Sequence, residues 1–247
     1  DWVEADGFRN LMAFLAEASS DMVVSGFVWA LDDGSGNERQ FRRKAEIREP
    51  FSGVVYGKVY DFDQVADQIY IKMHGLTIRT DILQEQGIRV DENCFYVDTE
   101  YILYPVPFVK TVSFMRDFVY QYRIGRPGQS IDLNRMKRLQ NDYDRVLDAL
   151  LGFYRSYAET AGSSAKKRTY IARIIARVVA GKMKILLSFP YGKGARNRLI
   201  SFDRKLKKCY PEIYAVNENR AVRLLRISRY HLYPAAFVLL WMKNRRR

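Results

Sequence analysis

The segment FYVDTEY, at residues 95–101, places two carboxylates, Asp98 and Glu100, among aromatic and β-branched residues. A carboxylate flanked by Tyr96 and Tyr101 is expected to be partly desolvated, which raises its pKa and makes it a stronger base. Asp98 is therefore our candidate for a group that removes a proton from a substrate. Two structural interpretations remain open: the acids face outward from an alternating strand, or Asp98 is the N-cap of a following helix.

A second group of candidates lies further along the chain, in the loop YRIGRPGQS. Gly125 and Gly128 allow the backbone to turn tightly. Arg123, Arg126 and Ser130 offer hydrogen-bond donors that suit phosphate oxygens. The loop therefore predicts an anion-binding segment, and the alternative is an ordinary polar loop with solvated arginines.

The composition limits the other kinds of chemistry. The chain has 247 residues, of which 48% are hydrophobic, enough for a substantial core. Cys94 and Cys209 match no metal-binding spacing and suit a reducing compartment, and a total of two histidines argues against a His-based zinc site. No Walker loop, dinucleotide glycine fingerprint or Ser-His-Asp order is found. The chain begins at Asp1 without a methionine or a signal peptide, so we interpret it as a fragment whose start lies upstream.

The charge is divided unevenly along the chain, whose formal net charge is +13. Residues 1–135 carry a net charge of −6, whereas residues 166–247 carry +19. The segment TAGSSAKK, before the basic part, has the composition of a hinge. The sequence therefore predicts an acidic globular part followed by a basic region with a different role.

Hydrophobic periodicity predicts the elements that hold the candidate residues. In the first helix, the predicted apolar face contains Phe8, Leu11, Met12 and Leu15. Helical patterns cover residues 5–18, 62–88 with an interruption at His74-Gly75, 134–159, 168–189 and 219–247, and strand patterns cover residues 21–31 and 109–124.

Several of these segments, in this order, resemble the second half of a bacterial family 2 glycosyltransferase of the GT-A type. DWVE, at residues 1–4, is similar to the end of the family's D-x-D-D-W-x-E segment, and DMVVSGF is similar to the strand that comes next. The block from KMHGLTIRTDILQEQGI to FYVDTEY resembles the acceptor-side helix and the E-D-x-E-F/Y motif. YQYRIGRPGQSI resembles the loop Y-x-Y-R-x-x-R-x-G-S. The resemblance covers about residues 1–160, and the basic region matches only the family's habit of carrying a C-terminal helical appendage.

The resemblance implies an α/β fold, namely the C-terminal half of a GT-A (Rossmann-like) domain, and sugar transfer with inversion from a nucleotide-sugar donor. Asp98 would be the general base, although Val97 replaces the first acid of the family's Glu-Asp pair. Arg123, Arg126 and Ser130 of the YRIGRPGQS loop would bind the diphosphate of the nucleotide-sugar. The Asp-x-Asp pair that holds a divalent metal (Mg or Mn) would lie just before Asp1. Asp1 is a candidate metal ligand only because it would be next to this pair.

Three further residues are candidates for contacting the acceptor or the donor, or for orienting the acceptor or a neighbouring side chain. Glu100 follows the proposed base by two positions, and His74 lies beside Gly75 in KMHGLT. Trp2 is able to stack on the apolar face of a sugar. For His74 the alternative is a hydrogen-bonded histidine at a helix break, and for Trp2 it is simple core packing.

The basic region ends in a pattern that is typical of a segment at a membrane surface. Its last apolar run, residues 232–242, is far shorter than the ~20 residues needed to cross a bilayer. Arginines and an aromatic residue would meet anionic lipid headgroups. The alternative is a helical subdomain that packs on the catalytic part. The candidate membrane residues are Arg223, Arg226, Arg229, Trp241, Arg245 and Arg246.

Together these observations predict three parts. Residues 1–135 form the acceptor-side part of the catalytic domain, residues 136–165 a connecting amphipathic helix and hinge, and residues 166–247 a basic helical region that docks on a membrane. The acceptor would be a cell-surface glycan or a polyprenol-linked sugar, handled in the cytoplasm at the inner face of the cell membrane. Without the nucleotide-binding half, residues 1–247 are expected to show little activity alone. The alternatives are a non-catalytic scaffold and a nucleic-acid-binding protein that uses residues 166–247.

Overall fold

The computed structural model describes residues 1–32, 41–45, 53–125, 129–130 and 132–245. Packing divides the chain into two units. Unit 1 comprises Asp1–Glu92, Val97–Gln129 and Ala161–Lys167, and unit 2 comprises Asn93–Tyr96, Ser130–Thr160 and Arg168–Arg247. The chain passes from unit 1 to unit 2 at Ser130, returns to unit 1 for Ala161–Lys167 and then continues in unit 2. The predicted three-part division stays a prediction.

Unit 1 is a mixed α/β structure built on a six-stranded sheet. The strands are β1 (Trp2–Val3), β2 (Met22–Leu31), β3 (Arg42–Ala45), β4 (Val59–Asp61), β5 (Leu76–Ile78) and β6 (Thr111–Ile124). Their order is β1-β6-β2-β3, with β4 paired to β6 and β5 paired to β2. The central pair, β2 and β6, is parallel, and the other pairs are antiparallel.

The two central strands are the two that periodicity predicts, and both predictions are confirmed. About half of their residues are β-branched or aromatic, which favours strands. Most residues of β2 are buried, whereas fewer than half of those of β6 are. Their register shifts between Val24 and Phe27, so β6 contains extra residues there. Gly26 lies at the shift, where a Cβ atom would come within 2.8 Å of the Phe118 ring.

The helices of unit 1 are short except for the first. They are α1 (Ala5–Glu17), α2 (Phe62–Val65), α3 (Thr80–Glu85) and α4 (Asp98–Leu103). The predicted helix at residues 5–18 is confirmed, but its predicted apolar face is wrong in part. Leu11 is buried against the sheet, whereas Phe8 and Met12 are exposed. The backbone at Gly7 approaches β6 so closely that a larger residue there would hold the helix away.

The mainly helical prediction for residues 62–88 is wrong. A 3-10 turn at Met73–Gly75, here called the His74 turn, leads directly into strand β5 at the edge of β2. A Cβ atom on Gly75 would lie 2.2 Å from the carbonyl oxygen of Ser25, so this close approach to β2 requires glycine. Pairing with the sheet therefore overrides the local helical pattern.

Unit 2 is helical. Its helices are α5 (Leu133–Arg138), α6 (Gln140–Glu159), α7 (Ala165–Leu187, whose first three residues belong to unit 1), α8 (Lys193–Cys209), α9 (Pro211–Ala215), α10 (Arg220–Ile227) and α11 (Tyr233–Arg245). The predicted helix at 168–189 is confirmed. The predicted helices at 134–159 and 219–247 are each broken, the first at Leu139 and the second where Arg229 and Tyr230 adopt positive φ. Across the described part of the chain, no helix has both the length and the apolar character that crossing a bilayer requires.

Candidate functional site

Four aromatic side chains share one face of the sheet in unit 1. Phe27 and Trp29 on β2 pair in register with Tyr120 and Tyr122 on β6. Because alternate residues of a strand point to the same face, the four rings form a continuous surface, which we call the aromatic wall. The ring centroids of Trp29 and Tyr122 are 5.0 Å apart, and those of Phe27 and Trp29 are 5.4 Å apart.

His74 lies against this wall. Its ring centroid is 4.1 Å from that of Tyr122, 5.0 Å from that of Phe27 and 5.4 Å from that of Tyr120. Both ring nitrogens are buried, and neither forms a hydrogen bond with a described residue. Desolvation, followed by the nearby charge of Lys72, lowers the pKa of His74 from 6.5 to about 4. The imidazole is therefore neutral at neutral pH, with one N–H donor and one acceptor nitrogen.

A lysine adds positive charge to the same wall. The Nζ atom of Lys72 lies 5.0 Å from the ring centroid of Trp29 and 5.2 Å from that of Phe27. These distances are within the range of cation–π attraction. The wall therefore combines flat apolar surfaces with one ammonium group.

Asp98 is the first residue of α4, and α4 packs against the His74 turn. The residue as a whole is exposed to solvent, but enough protein surrounds its carboxyl group that desolvation raises the pKa, against the effect of the backbone N–H groups of Thr99 and Asp98. Desolvation and the Asp98 carboxylate together raise the pKa of Tyr122. Asp98, Tyr122 and His74 thus lie in one region of unit 1, where an accessible carboxylate has increased proton affinity.

The strand interpretation of FYVDTEY is wrong, because a helix begins within the segment. Val97 occupies the N-cap position, so Asp98 is the residue after the cap. Glu100 is completely buried, and its Oε2 atom accepts a hydrogen bond of 2.8 Å from the backbone N–H of Asp91. Glu100 is therefore not placed to contact an acceptor, whereas the predicted alternative, orienting a neighbour, is compatible with this hydrogen bond. Its carboxylate holds the preceding loop in place instead.

The structure also corrects the role predicted for Arg123. Its Nη2 and Nε atoms donate to Asp32 Oδ2 at 2.7 and 2.9 Å, and its guanidinium lies 4.9 Å from the ring centroid of Phe41. This pair is largely shielded from solvent. Arg123 is therefore not placed to bind a diphosphate, because its Nε and Nη2 donors join the end of β6 to the residue that follows β2.

The other two loop donors have different outcomes. Arg126 lies outside the described residues. Ser130 belongs to unit 2, where its carbonyl oxygen accepts a hydrogen bond of 3.0 Å from the hydroxyl of Tyr96. The predicted roles of Arg126 and Ser130 in binding a diphosphate stay predictions.

Asp1 and Trp2 lie at the edge strand β1. The Asp1 carboxylate accepts hydrogen bonds of 2.9 Å from the Tyr120 hydroxyl and from the backbone N–H of Arg123. The indole of Trp2 donates to Glu4 at 3.2 Å. Trp2 is half-buried next to Phe41, with ring centroids 6.2 Å apart, which corresponds to the core-packing alternative.

The described residues do not fit a divalent metal. They contain no group of three histidine, cysteine or acidic side chains placed to hold an ion. Both oxygens of Asp1 already face hydrogen-bond donors rather than a site for a cation. The predicted requirement for Mg or Mn stays a prediction.

The candidate membrane residues in unit 2 divide into two groups. Arg223, Arg229 and Trp241 are exposed. Arg226 is not, because its guanidinium pairs with the buried carboxylate of Asp203, so its predicted membrane contact is wrong. Nothing is described of the side chain of Arg245 or of Arg246, and their predicted roles are untested.

The aromatic wall and Lys72 are functional candidates that the sequence patterns did not predict. A signal was present, because Phe27 and Trp29 are two residues apart in one predicted strand and Tyr120 and Tyr122 are two residues apart in the other. What the sequence did not reveal is that these strands are parallel neighbours with matching registers. No protein-family model, no curated protein and no solved structure matches the chain, so the resemblance to family 2 glycosyltransferases rests on the sequence segments alone.

Proposed function

We propose that the chain is the acceptor-side part of an inverting glycosyltransferase, in which Asp98 is the general base. The observation that carries the proposal is an accessible carboxylate with a raised pKa in the same region as the aromatic wall and a neutral histidine. A base whose pKa is closer to neutral accepts a proton more effectively in the transition state. Aromatic rings are suitable partners for the apolar faces of sugars.

In the proposed reaction, Asp98 accepts the proton of the attacking acceptor hydroxyl. The hydroxyl oxygen forms a bond to the anomeric carbon of the donor sugar while the bond from that carbon to the diphosphate oxygen breaks. The electron pair of the broken bond leaves with the nucleoside diphosphate. Lys72 offers a positive charge to sugar hydroxyls at the wall, whereas His74, whose ring nitrogens are buried, packs against it as a neutral ring.

The first test replaces Asp98 with asparagine in the longest natural chain that contains residues 1–247. Transfer from nucleotide-sugar donors to a lipid-linked acceptor is measured by product formation. Removing the base is expected to lower kcat by about 100-fold or more. The matched control is Asp81→Asn, because Asp81 also lies in the first turn of a short helix, α3, but pairs with Arg79 at the surface. Full activity in Asp98→Asn would contradict the proposal.

The second test is the pH dependence of kcat/KM. Asp98 must be deprotonated to act as a base, and desolvation raises its pKa. The acidic limb of the profile is therefore expected above the ordinary aspartate value of about 3.9. Asp81→Asn should keep this limb, and Asp98→Asn should lose it. An acidic limb at or below the ordinary value would argue against Asp98 as the base.

We also propose that unit 2 docks on the anionic inner face of the cell membrane, which places the protein at the cytoplasmic surface. Arg223 and Arg229 are exposed on and just after α10, and Trp241 is exposed on α11. Cations attract anionic headgroups, and tryptophan favours the interface between headgroups and acyl chains. These exposed groups support the docking proposal without Arg226.

A further inference from the structure

A groove of about 520 Å³ lies within unit 2, between helices α7, α10 and α11. Its floor is apolar and is formed by buried side chains that include Met183, Val222 and Leu225. Its rim includes Leu224, Leu232 and Leu239, and 62% of Leu239 is exposed. Its size is within the range of sites that hold a small ligand or one chain of a lipid.

The charges around the groove have a single sign. Arg177, Lys184 and Lys243 line it, and no acidic residue does. The groove therefore favours an occupant that has both an apolar part for the floor and a negative charge for the rim. Anionic phospholipids have this combination, because an acyl chain is joined to a phosphate headgroup.

Helix α11 supports the same kind of occupant. Val238, Trp241 and Met242 are exposed on it in addition to the groove-lining Leu239. Contiguous exposed apolar surface of this kind marks an interaction site. An aromatic residue next to cations matches the boundary between acyl chains and headgroups, whereas a nucleic acid would leave the apolar floor unused.

We propose that this groove binds one acyl chain of an anionic membrane phospholipid, with the phosphate near Lys243 at the rim. The inference rests on the membrane docking proposed above and identifies the lipid that docking requires. It assigns a defined one-to-one site to the lipid, in addition to the diffuse attraction of exposed arginines. It does not depend on the chemistry of Asp98.

The experiment uses residues 1–247 and monomeric dioctanoyl phosphatidylglycerol, with binding measured by calorimetry. We expect one lipid per chain for the wild type. Ala236→Trp fills the groove and should weaken binding by about tenfold or more. The matched control is Ala215→Trp, the same change at an exposed position of α9 in unit 2 that does not line the groove, which should bind as the wild type does.

A second variant covers the case in which Ala236→Trp fails to fold by circular dichroism. Leu239→Glu places a negative charge on the exposed rim, so it is compatible with folding and should also weaken binding by about tenfold. Lys243→Glu should remove the preference for phosphatidylglycerol over dioctanoyl phosphatidylcholine. Equal binding by wild type, Leu239→Glu and Ala215→Trp would overturn the proposal.

Three other results would also overturn it. They are binding of a polyprenyl phosphate but not of phosphatidylglycerol, the absence of one-to-one lipid binding, and light scattering that shows a dimer for the wild type but a monomer for Leu239→Glu, which would mean that a second copy of the chain covers the groove. Flotation with anionic vesicles separates this inference from docking itself. If the wild type floats but binds no monomeric lipid, the groove is contradicted and docking is not. If it does not float, docking fails as well, whatever the activity of Asp98.

Discussion

The low pKa of His74, about 4 in the folded protein instead of 6.5, predicts that the stability of the protein depends on pH. The unfolded chain therefore binds this proton more readily than the folded protein does. The stability that neutral His74 contributes is complete above pH 6.5 and is lost as the pH falls towards 4. His74→Phe keeps a ring against Tyr122 and removes the titration, so its free energy of unfolding should fall less over this interval.

Urea denaturation across the same pH interval measures the effect. The control is His231→Phe, because His231 is the other histidine of the chain and is exposed. It should retain the pH dependence of the wild type. Parallel curves for the wild type and His74→Phe would show that the buried imidazole does not titrate as described.

The ion pair between Arg226 and Asp203 leads to a second prediction about a single residue. The Nη2 atom of Arg226 lies 2.7 Å from Asp203 Oδ1 and its Nη1 atom lies 2.7 Å from the carbonyl oxygen of Tyr214, and Asp203 is 0% exposed. Arg226→Met leaves a buried carboxylate without its cation, which should cost about 3–5 kcal/mol of unfolding free energy. Arg223→Met, at an exposed position of the same helix, should change it by less than about 0.5 kcal/mol.

A double variant distinguishes the loss of the pair from the loss of packing. Replacing both partners, Asp203→Leu with Arg226→Met, removes the unpaired charge and should recover part of the lost stability. Chemical denaturation of Arg226→Met, Asp203→Leu and the double variant measures the unfolding free energy of each. We expect the double variant to lose less unfolding free energy than the two single variants lose together. If it loses as much or more, the pair does not act as described.

At the scale of elements, two helical glycines should respond in opposite directions to the same change. A Cβ atom on Gly7 in α1 would lie 2.4 Å from the carbonyl oxygen of Phe118 in β6, whereas one on Gly152 in α6 would meet nothing within 4 Å. Gly7→Ala should therefore destabilise the protein by about 1–3 kcal/mol, since α1 must move away from the sheet. Gly152→Ala should stabilise it by about 1 kcal/mol through helix propensity. Urea denaturation measures both, and a stabilising Gly7→Ala would contradict the packing of α1.

The elements that the sequence predicted correctly are those whose own pattern decides their structure. Strands β2 and β6 and helix α7 are long and carry many apolar residues, so periodicity identifies them. Helix α8 was missed because charged residues dominate it and its buried face has few members, among them Leu199 and Leu206. The His74 turn was misassigned because contact with β2, which is distant in sequence, determines its backbone.

In the candidate site too, local sequence predicts some properties, and contacts between residues distant in sequence determine the others. The raised pKa of Asp98 could be predicted from its aromatic neighbours, because desolvation is partly a local property, whereas the proton transfer itself stays a proposal. The pairing of Arg123 with Asp32 could not, because these residues are 91 positions apart and meet only through the parallel alignment of β2 and β6. The burial of Glu100 likewise depends on where α4 packs. Sequence patterns thus predicted the direction of the Asp98 pKa shift better than the partners of each side chain.

At the scale of the whole molecule, the distribution of charge predicts a binding behaviour that belongs to the chain as a whole. Residues 166–247 carry a net charge of +19, and residues 1–135 carry −6. Attraction to an anionic surface should therefore come from the second part of the chain. Vesicles that contain phosphatidylglycerol should bind the protein, neutral phosphatidylcholine vesicles should bind it less, and added salt should weaken binding because it screens exposed charges over about 10 Å.

Flotation of two charge-reversal variants tests which part of the chain is responsible. Arg223→Glu, at an exposed position of α10, should weaken vesicle binding by about 2 kcal/mol, because one favourable contact of about 1 kcal/mol is lost and a repulsion of similar size is added. Arg89→Glu makes the same charge change at an exposed position of unit 1 and should have little effect. If the wild type instead ignores anionic vesicles and binds duplex DNA with a steep dependence on salt, the basic region is a nucleic-acid-binding element, because such binding depends on the release of counterions from phosphates.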